Sequence, residues 1–441
     1  MTKKFLSYAL PSALAMCISS FNTVLDGVFL GQGVGDAALA AVNIVMPLTI
    51  LFFGLATMVA VGGGSLVSKN FGAGDKERAN QVFRQVMKAL LIGALVLSLI
   101  CVLFAEAIVG MMGATNHLVP LSAEYLRYYA LFCIPNLMGI ALGSFLRNDQ
   151  KPQQAMIATV CGTICNITLN YIFIFRLGLG IKSAAIATGI GQMVTVLMML
   201  PHFLLKKGEL SFGKSKMEFK LLKEVFRIGM PSFIAEAAFS VIILIHNMVI
   251  TVKLGETGLS TYAIVNYVTT NIYMILLGVT FGAQPLISFN FGCKKKKEMY
   301  EVYKLSIKTS LIITFCYCVI CLIYGKYIIG FFTSNEAIGQ MSYRALNINN
   351  LAYFMIGMNL TQTVYYQAIE RPKYSNIIGA LRSIVILPVV LISFTYLWGE
   401  VGIWLSMFAS EVVTFIIIHR LVNLKECTEQ MLCIESSKSH N

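Results

Sequence analysis

Charged residues are scarce in this chain. Only 12% of its 441 residues are Asp, Glu, Lys or Arg, whereas 57% are hydrophobic and the mean hydropathy is +0.74. Many windows of about 20 residues contain no charge, which is the length that a helix needs to cross a bilayer. A soluble protein would place its charges on the outer faces of amphipathic helices, but these charges lie between the apolar runs. The scarcity therefore excludes a soluble protein and predicts an all-α polytopic membrane protein.

The motifs of nucleotide-driven and hydrolytic chemistry are also missing. No GxxxxGK[ST] loop is present, GLGIKS (178–183) has the wrong spacing for one, and neither GxSxG nor HExxH occurs. The 11 cysteines lie mostly inside apolar runs, so we expect small buried thiols rather than metal ligands or disulfides. These absences argue against an enzyme and against a bound cofactor or metal. Any transport would then draw its energy from an ion gradient.

Hydropathy predicts twelve membrane spans. Helix is the expected state of each, because backbone groups in lipid must pair within their own segment. The predicted spans are 7–31, 39–68, 82–109, 121–146, 154–175, 183–205, 224–252, 259–289, 301–331, 343–369, 374–397 and 401–424.

The distribution of Lys and Arg predicts the orientation. Most of the 34 basic residues lie at the N-terminus, in the connections that follow even-numbered spans, and in the C-terminal tail; Arg382 is counted with this group as a flanking residue. The exceptions are Arg127, Arg176, Lys182, Lys253, Lys326 and Arg344. Because positive loops stay on the cytoplasmic side, both termini are expected in the cytoplasm of a plasma-membrane protein. The net charge of +13 then reflects topology, and we expect no nucleic-acid partner.

The two halves of the chain repeat each other. A shift of 220 residues aligns residues 11–45 with 231–265 and residues 62–72 with 282–292, without a gap in either stretch. Each half contains six spans, so both have the same orientation, as in transporters built from parallel repeats. The predicted organisation is an N-lobe (1–205), a cytoplasmic linker (206–223), a C-lobe (224–424) and a cytoplasmic tail (425–441).

Three acids lie well inside apolar spans: Asp26, Glu236 and Glu411. An ionised carboxylate at the bilayer centre costs about 2.5–3.5 kcal/mol on insertion scales, so such groups usually face the bundle interior and mark ion pathways. Asp26 shares a polar stripe with Asn22 and Thr23, which favours ion coupling over a purely structural role. Glu411 could equally be paired structurally.

The second half offers further candidates. His246 is the repeat counterpart of Asp26 and can titrate near neutrality, although a neutral histidine hydrogen-bonded within the bundle is equally consistent. The tenth span is dense in Met, aromatic and amide side chains, which suit adaptable binding of flat or cationic molecules but are also ordinary packing residues. Its substrate-cavity candidates are Tyr353, Met358, Asn359, Gln362 and Tyr366.

Three stretches carry a family resemblance. They are LDGVFLGQGVGDAALAAVNIVMPL (25–48), SKNFGAGDKERAN (68–80) and NITLNYIFIFRLGLGIKSAAIAT (166–188). With these stretches and twelve spans in two halves, the sequence resembles the MATE (multidrug and toxic compound extrusion) family, and its MepA-like branch in particular. The resemblance implies a V-shaped transporter of two lobes. It further implies export of organic cations or other amphiphilic drugs against entering H⁺ or Na⁺, by a chain that acts as a monomer in the bilayer.

The resemblance also implies a coupling site in the N-lobe. The matching positions are Asp26 in the first span, Asn166 and Asn170 in the fifth, and Thr188 in the sixth. Similar proteins have a second carboxylate at the position of Asn170, so this site would hold a single formal charge, which weakens the case for Na⁺ and favours H⁺. The acid that some relatives carry in the seventh span corresponds approximately to Glu236.

Two alternatives make different demands. A flippase for lipid-linked precursors would need arginines in a central cavity to hold pyrophosphate. A non-transporting sensor or intramembrane enzyme would need a sizeable soluble domain or a cluster of catalytic side chains at one depth. The sequence shows few arginines inside spans and no such domain or cluster.

Overall fold

The structure, a computed structural model, describes residues 1–333 and 335–438, and their side chains except those of residues 36, 39, 239, 240 and 422–438. Within these limits the chain forms α-helices and two short π-helical segments and has no strand. The α-helices are α1 (Thr2–Gly33), α2 (Asp36–Gly72), α3 (Lys76–Leu103), α4 (Ala105–Met111), α5 (Val119–Leu131), α6 (Cys133–Asn148), α7 (Pro152–Tyr171), α8 (Lys182–Leu204), α9 (Phe219–Gly292), α10 (Lys296–Gly330), α11 (Glu336–Asn350), α12 (Ala352–Ala368), α13 (Pro372–Ala380) and α14 (Ile386–Lys438). The π-segments are Ile172–Arg176 and Leu381–Val385. Of the predicted tail, residues 439–441 lie outside the described residues.

Breaks inside long helices reconcile these elements with twelve spans. Among the described residues, 8 helices are long and apolar enough to cross a membrane, and the pair α5–α6, bent by 51°, makes a ninth. Two of the eight are each two helices joined at a glycine with non-helical backbone: Gly255 in α9 (φ 62°, ψ −153°) and Gly399 in α14 (φ 57°, ψ −129°). The remaining one of the twelve spans, the tenth, is the pair of shorter helices α11–α12, which contain more Asn and Gln than the other spans. The predicted all-α membrane fold is therefore confirmed.

The bend between α5 and α6 has a local cause. Pro135 lies in the first turn of α6 and has no N–H to bond the carbonyl of Leu131, the last residue of α5. The helix therefore breaks at Phe132, and the predicted span 121–146 is two helices.

The backbone reproduces the repeat. Left-handed φ values occur in pairs 220 residues apart: Gly35 and Gly255 (111° and 62°), and Gln150 and Glu370 (63° and 59°). A third such pair is Gly74 and Lys294. Each half also has one π-segment after the start of its fifth span, but the second begins about three turns earlier in its helix than the first. The halves share a fold and differ locally in their fifth spans.

The two lobes are in contact over the half of the bundle that starts at one end. We call this the basic end: it contains the N-terminus and the connections at 73–75, 149–151, 205–218, 293–295 and 370–371. Glycines allow α2 and α9 to approach closely there. A Cβ on Gly229 would collide with the carbonyl oxygen of Met58, and one on Gly62 would collide with that of Val225. Because these obstacles are backbone atoms, they cannot move aside as a flexible side chain could.

Polar contacts also join the lobes. Lys69 of α2 forms an ion pair with Glu370, which follows α12, at 2.7 Å. Gln284 Nε2 donates to Ser65 Oγ at 2.9 Å, and Ser20 Oγ of α1 donates to Asn271 Oδ1 of α9 at 2.8 Å. The lobes are therefore held together from the basic end to the level of Ser20.

The connection between the lobes is bound to the N-lobe. Arg84 Nε donates to the Ser211 carbonyl at 2.9 Å, and Lys88 Nζ donates to the Ser215 carbonyl at 2.6 Å. Asp149 accepts from the backbone N–H of Glu209 at 3.0 Å. The connection thus lies along α3 before α9 begins at Phe219.

Candidate functional site

Asp26 is held by neutral amides from two helices. Asn170 Nδ2, on α7, donates to Asp26 Oδ1 at 2.6 Å, and Asn22 Nδ2, one turn earlier on α1, donates to Oδ2 at 3.2 Å. No basic side chain forms an ion pair with Asp26 among the described residues. A charge at this position is therefore solvated by amide dipoles but not neutralised.

The amide chain continues to α8. Asn170 Nδ2 also donates to Asn166 Oδ1 at 3.2 Å, and Asn166 Nδ2 donates to Thr188 Oγ1 at 3.1 Å. Asn166 and Asn170 are buried, and the oxygen Asn170 Oδ1 has no hydrogen-bond partner in the structure. The structure thus brings Asp26, Asn166, Asn170 and Thr188 into one network, with a free acceptor beside the acid.

Small residues and one aromatic contact set this geometry. A Cβ on Gly191 would lie 2.7 Å from the carbonyl oxygen of Gly162 and 2.8 Å from Asn166 Cβ, so α7 and α8 cross with almost no side chain between them. Phe29 of α1 packs edge-on against Phe175, with ring centroids 5.8 Å apart. Phe175 lies in the π-segment that follows Asn170, and such segments often occur at functional sites.

The sequence did not single out the aromatic residues beside this network. Tyr125 on α5 is buried and lies near Asp26. Tyr125 stacks on Tyr129 with centroids 6.1 Å apart, and Tyr129 stacks on Phe52 at 6.3 Å. No local pattern distinguishes Tyr125 from other packing tyrosines, because its surroundings arise only when α5 packs against α2, α3 and α8.

His246 lies in a different setting from its counterpart Asp26. Its Nδ1 donates to the Ile242 carbonyl one turn earlier at 3.0 Å, and its ring stacks on Tyr262 at 5.3 Å. It borders a cavity of about 40 Å³, together with Tyr353 and Asn266. A space of that size suits a water molecule, not a drug.

Glu236 lies on α9, as His246 does, but nearer the start of the helix, and it faces the other lobe. A Cβ on Gly54 of α2 would lie 3.3 Å from Glu236 Cβ, and Tyr273 lies near Glu236. It has no hydrogen bond or ion pair among the residues whose side chains are described. Glu236 is therefore an acid at the boundary between the lobes, and among the described residues it shares no hydrogen bond with the Asp26 network.

Glu411 is paired. Arg382, in the second π-segment, binds its Oε1 through Nη2 at 2.7 Å and through Nε at 2.9 Å, and Asn359 Nδ2 donates to Oε2 at 2.7 Å. Arg382 is 8% exposed and Glu411 1%. The prediction that Arg382 flanks the basic end was wrong: it lies inside the C-lobe, nearly three turns beyond the start of α13.

The five α12 candidates do not form one surface. Tyr353 borders the small cavity beside His246, and Asn359 is fully buried on Glu411. Gln362 is buried, Met358 is half-buried, and Tyr366 packs against Tyr374 near the basic end with centroids 5.1 Å apart. Tyr353 and Tyr366 are about 20 Å apart along the helix. Whether any of them binds a substrate stays a prediction.

Fold and site together define a membrane transporter of two repeated lobes with an acid-centred polar network in the first. A family model, MatE, matches residues 11–172 and again residues 231–392, the two halves found as a repeat. These matches cover most of the chain, and the chain belongs to the MATE family.

Similar proteins include two called multidrug export protein MepA. The one from Staphylococcus aureus (strain bovine RF122 / ET3-1) is 25% identical over 412 residues, 93% of this chain and 90% of that protein. The one from Staphylococcus saprophyticus is 26% identical over 415 residues, 93% of this chain and 91% of that protein. An outward-facing MATE transporter structure superposes with a TM-score of 0.90 at 22% identity, covering 96% of this chain and 97% of that one. A transporter structure from Pyrococcus furiosus superposes with a TM-score of 0.88 at 22% identity, covering 96% of each chain. These likenesses confirm the two-lobe fold.

Proposed function

We propose that this chain is a secondary antiporter that exports organic cations or other amphiphilic drugs in exchange for protons. The observation that carries the proposal is Asp26, an intramembrane acid whose two hydrogen-bond partners in the described part of the chain are both amides and which lies beside the unbonded oxygen of Asn170. Similar proteins are called multidrug export proteins. We further propose that the basic end faces the cytoplasm, so that the lobes as described are closed inside.

Protons are favoured as the coupling ion by the composition of the site. Asp26 is its only carboxylate, and both amides direct an N–H, not an oxygen, at that carboxylate. Sodium would instead need several oxygens directed at one point. A proton removes the charge that makes an acid costly in the membrane, so its binding changes the relative free energy of the two lobe arrangements. Drug binding then shifts the same equilibrium between lobe arrangements in the opposite direction.

The test measures dye transport by the purified full-length chain in proteoliposomes. An imposed pH gradient should drive dye movement, and Asp26→Asn should abolish it, because Asn cannot take up the proton. Glu106→Gln is the matched control, since Glu106 is an exposed acid paired with Arg127 on the surface. Gradient-driven transport by Asp26→Asn at the wild-type rate would disprove the assignment.

A second substitution tests the ion. Asn170→Asp places two carboxylates in contact where a 2.6 Å hydrogen bond now lies, and two adjacent negative charges favour a bound cation. We expect dye transport by this variant to gain a dependence on Na⁺ that the wild type lacks. Equal stimulation of wild type and variant by a Na⁺ gradient would show that the native site already couples to sodium.

A further inference from the structure

A cavity opens at the basic end of the N-lobe, away from the Asp26 network. Its volume is about 540 Å³, and it lies between the start of α1, the start of α7 and α8. Its lining includes Tyr8, Lys151, Gln153, Gln154, Ile157 and Met198.

The start of α7 offers unpaired donors to this cavity. Lys151 precedes the helix without capping it through its side chain, and Pro152 occupies the first turn. The backbone N–H groups of Gln153 and Gln154 have no acceptor among the described residues. Free N–H groups and the helix dipole favour an anion at such an end.

A largely buried tyrosine provides independent support. Tyr8 is 6% exposed and lines the cavity, and its hydroxyl has no hydrogen-bond partner among the described residues. The neighbouring acid, Asp149, is not among the residues that line the cavity: it is buried, bonded to His202 at 2.7 Å, and accepts from the Glu209 backbone. An oxyanion in the cavity would therefore meet donors and no exposed carboxylate.

The deeper wall of the cavity is apolar. Ile157 on α7 and Met198 on α8 are 50% and 39% exposed, although both lie within membrane-spanning helices. Side chains exposed in this part of a span face lipid. The cavity thus connects a polar mouth at the membrane surface with a surface suited to an acyl chain.

The repeat counterpart has a different charge. The residue before Lys151 is the neutral Gln150, whereas its counterpart before Arg371 is Glu370, which binds Lys69 of the other lobe. At this position the N-lobe therefore has a neutral side chain at the mouth of a cavity, whereas the C-lobe has an ion pair to the other lobe.

We propose that this cavity binds an anionic phospholipid. Its phosphate accepts hydrogen bonds from the Gln153 and Gln154 backbone and from the Tyr8 hydroxyl, beside the Lys151 ammonium. One acyl chain lies along Ile157 and Met198.

The test titrates delipidated full-length protein in detergent with dioleoylphosphatidylglycerol and counts adducts by native mass spectrometry. Parallel titrations use dioleoylphosphatidylcholine and inorganic phosphate. We expect one tight phosphatidylglycerol per chain, weaker phosphatidylcholine binding, and no displacement by millimolar phosphate. Lys151→Gln should weaken phosphatidylglycerol binding about fivefold, the effect of one basic residue near an anionic headgroup.

Tyr8→Phe, which removes only the hydroxyl, should also weaken binding. Arg371→Gln is the matched control at the repeat position and should bind as the wild type does. Unchanged binding in Lys151→Gln, or equal affinity for both lipids, would overturn the proposal. Displacement by millimolar phosphate would overturn the lipid assignment and indicate a site for free anions.

Discussion

At the scale of single residues, the surroundings of two intramembrane acids separate their roles. Glu411 has its charge balanced by Arg382, whereas Asp26 is bonded to Asn22 and Asn170, which are neutral. In a buried ion pair each charge compensates the other, so removal of one partner leaves the other charge buried and uncompensated. An acid among amides can balance its charge only by binding a proton or another cation.

This contrast predicts a stability pattern for the C-lobe pair. Glu411→Gln or Arg382→Met alone should lower the free energy of unfolding by about 3–5 kcal/mol, because each leaves one buried charge unpaired. The double variant should recover most of the loss. Thermal unfolding in detergent measures this, with Glu106→Gln, in the exposed Arg127 pair, as a control that changes stability little. Single variants as stable as the wild type would show that the pair is not formed.

At the scale of helices, close backbone contact determines how the lobes meet. α2 and α9 approach through Gly62 and Gly229, where carbonyl oxygens of the opposite helix occupy the space of a Cβ. Such contacts transmit motion between rigid bodies, because neither backbone can yield. The glycines thus define a boundary that must open if the lobes change their arrangement.

Gly229→Ala should therefore separate the lobes at the basic end, since overpacking typically costs about 1–3 kcal/mol. Genetically encoded non-natural amino-acid labels at Glu77 and Glu301 would measure the separation, because the chain has 11 cysteines that complicate thiol labelling. Gly93→Ala is the control: nothing lies within 4 Å of a Cβ there. An unchanged label distance in Gly229→Ala would show that α2 and α9 are not tightly packed.

At the scale of the whole molecule, the ion pair of Lys69 and Glu370 joins the lobes at the end where they close. Both residues are partly exposed, so the pair contributes about 1 kcal/mol or less. That is enough to change the population ratio of two lobe arrangements about fivefold. The pair therefore acts on the conformational equilibrium more than on folding.

We expect Lys69→Gln and Glu370→Gln each to increase the population opened at the basic end, and the exchange of the two residues to restore the wild-type distribution. The label pair at Glu77 and Glu301 reports the populations. Lys76→Gln is the matched control, because the pair of Lys76 with Glu209 joins α3 to the connection between lobes and not to the C-lobe. Failure of the exchanged pair to restore the distribution would show that the contact is not an ion pair.

Much of this architecture was predictable from local sequence. Spans follow from apolar length, the repeat from a constant offset of 220 residues, and the importance of Asp26 from the cost of a carboxylate in lipid. Asn166 and Asn170 came from family resemblance, and the structure places both in the network of Asp26. The prediction for Arg382 was wrong because a basic residue near the boundary of a predicted span resembles one in the flanking cytoplasmic loop. The sequence alone does not show that such a residue is buried.

The sequence by itself determined that the chain is a duplicated bundle of membrane helices, because hydropathy and repetition act along the chain. The tertiary structure alone decided which acid is neutralised, since Glu411 meets Arg382 only when α14 packs against the π-segment before it. It likewise placed Tyr125 beside Asp26, and opened the cavity between α1, α7 and α8. Asp26 and Asn170 are 144 residues apart, and no local pattern specifies which distant side chain will solvate a buried charge.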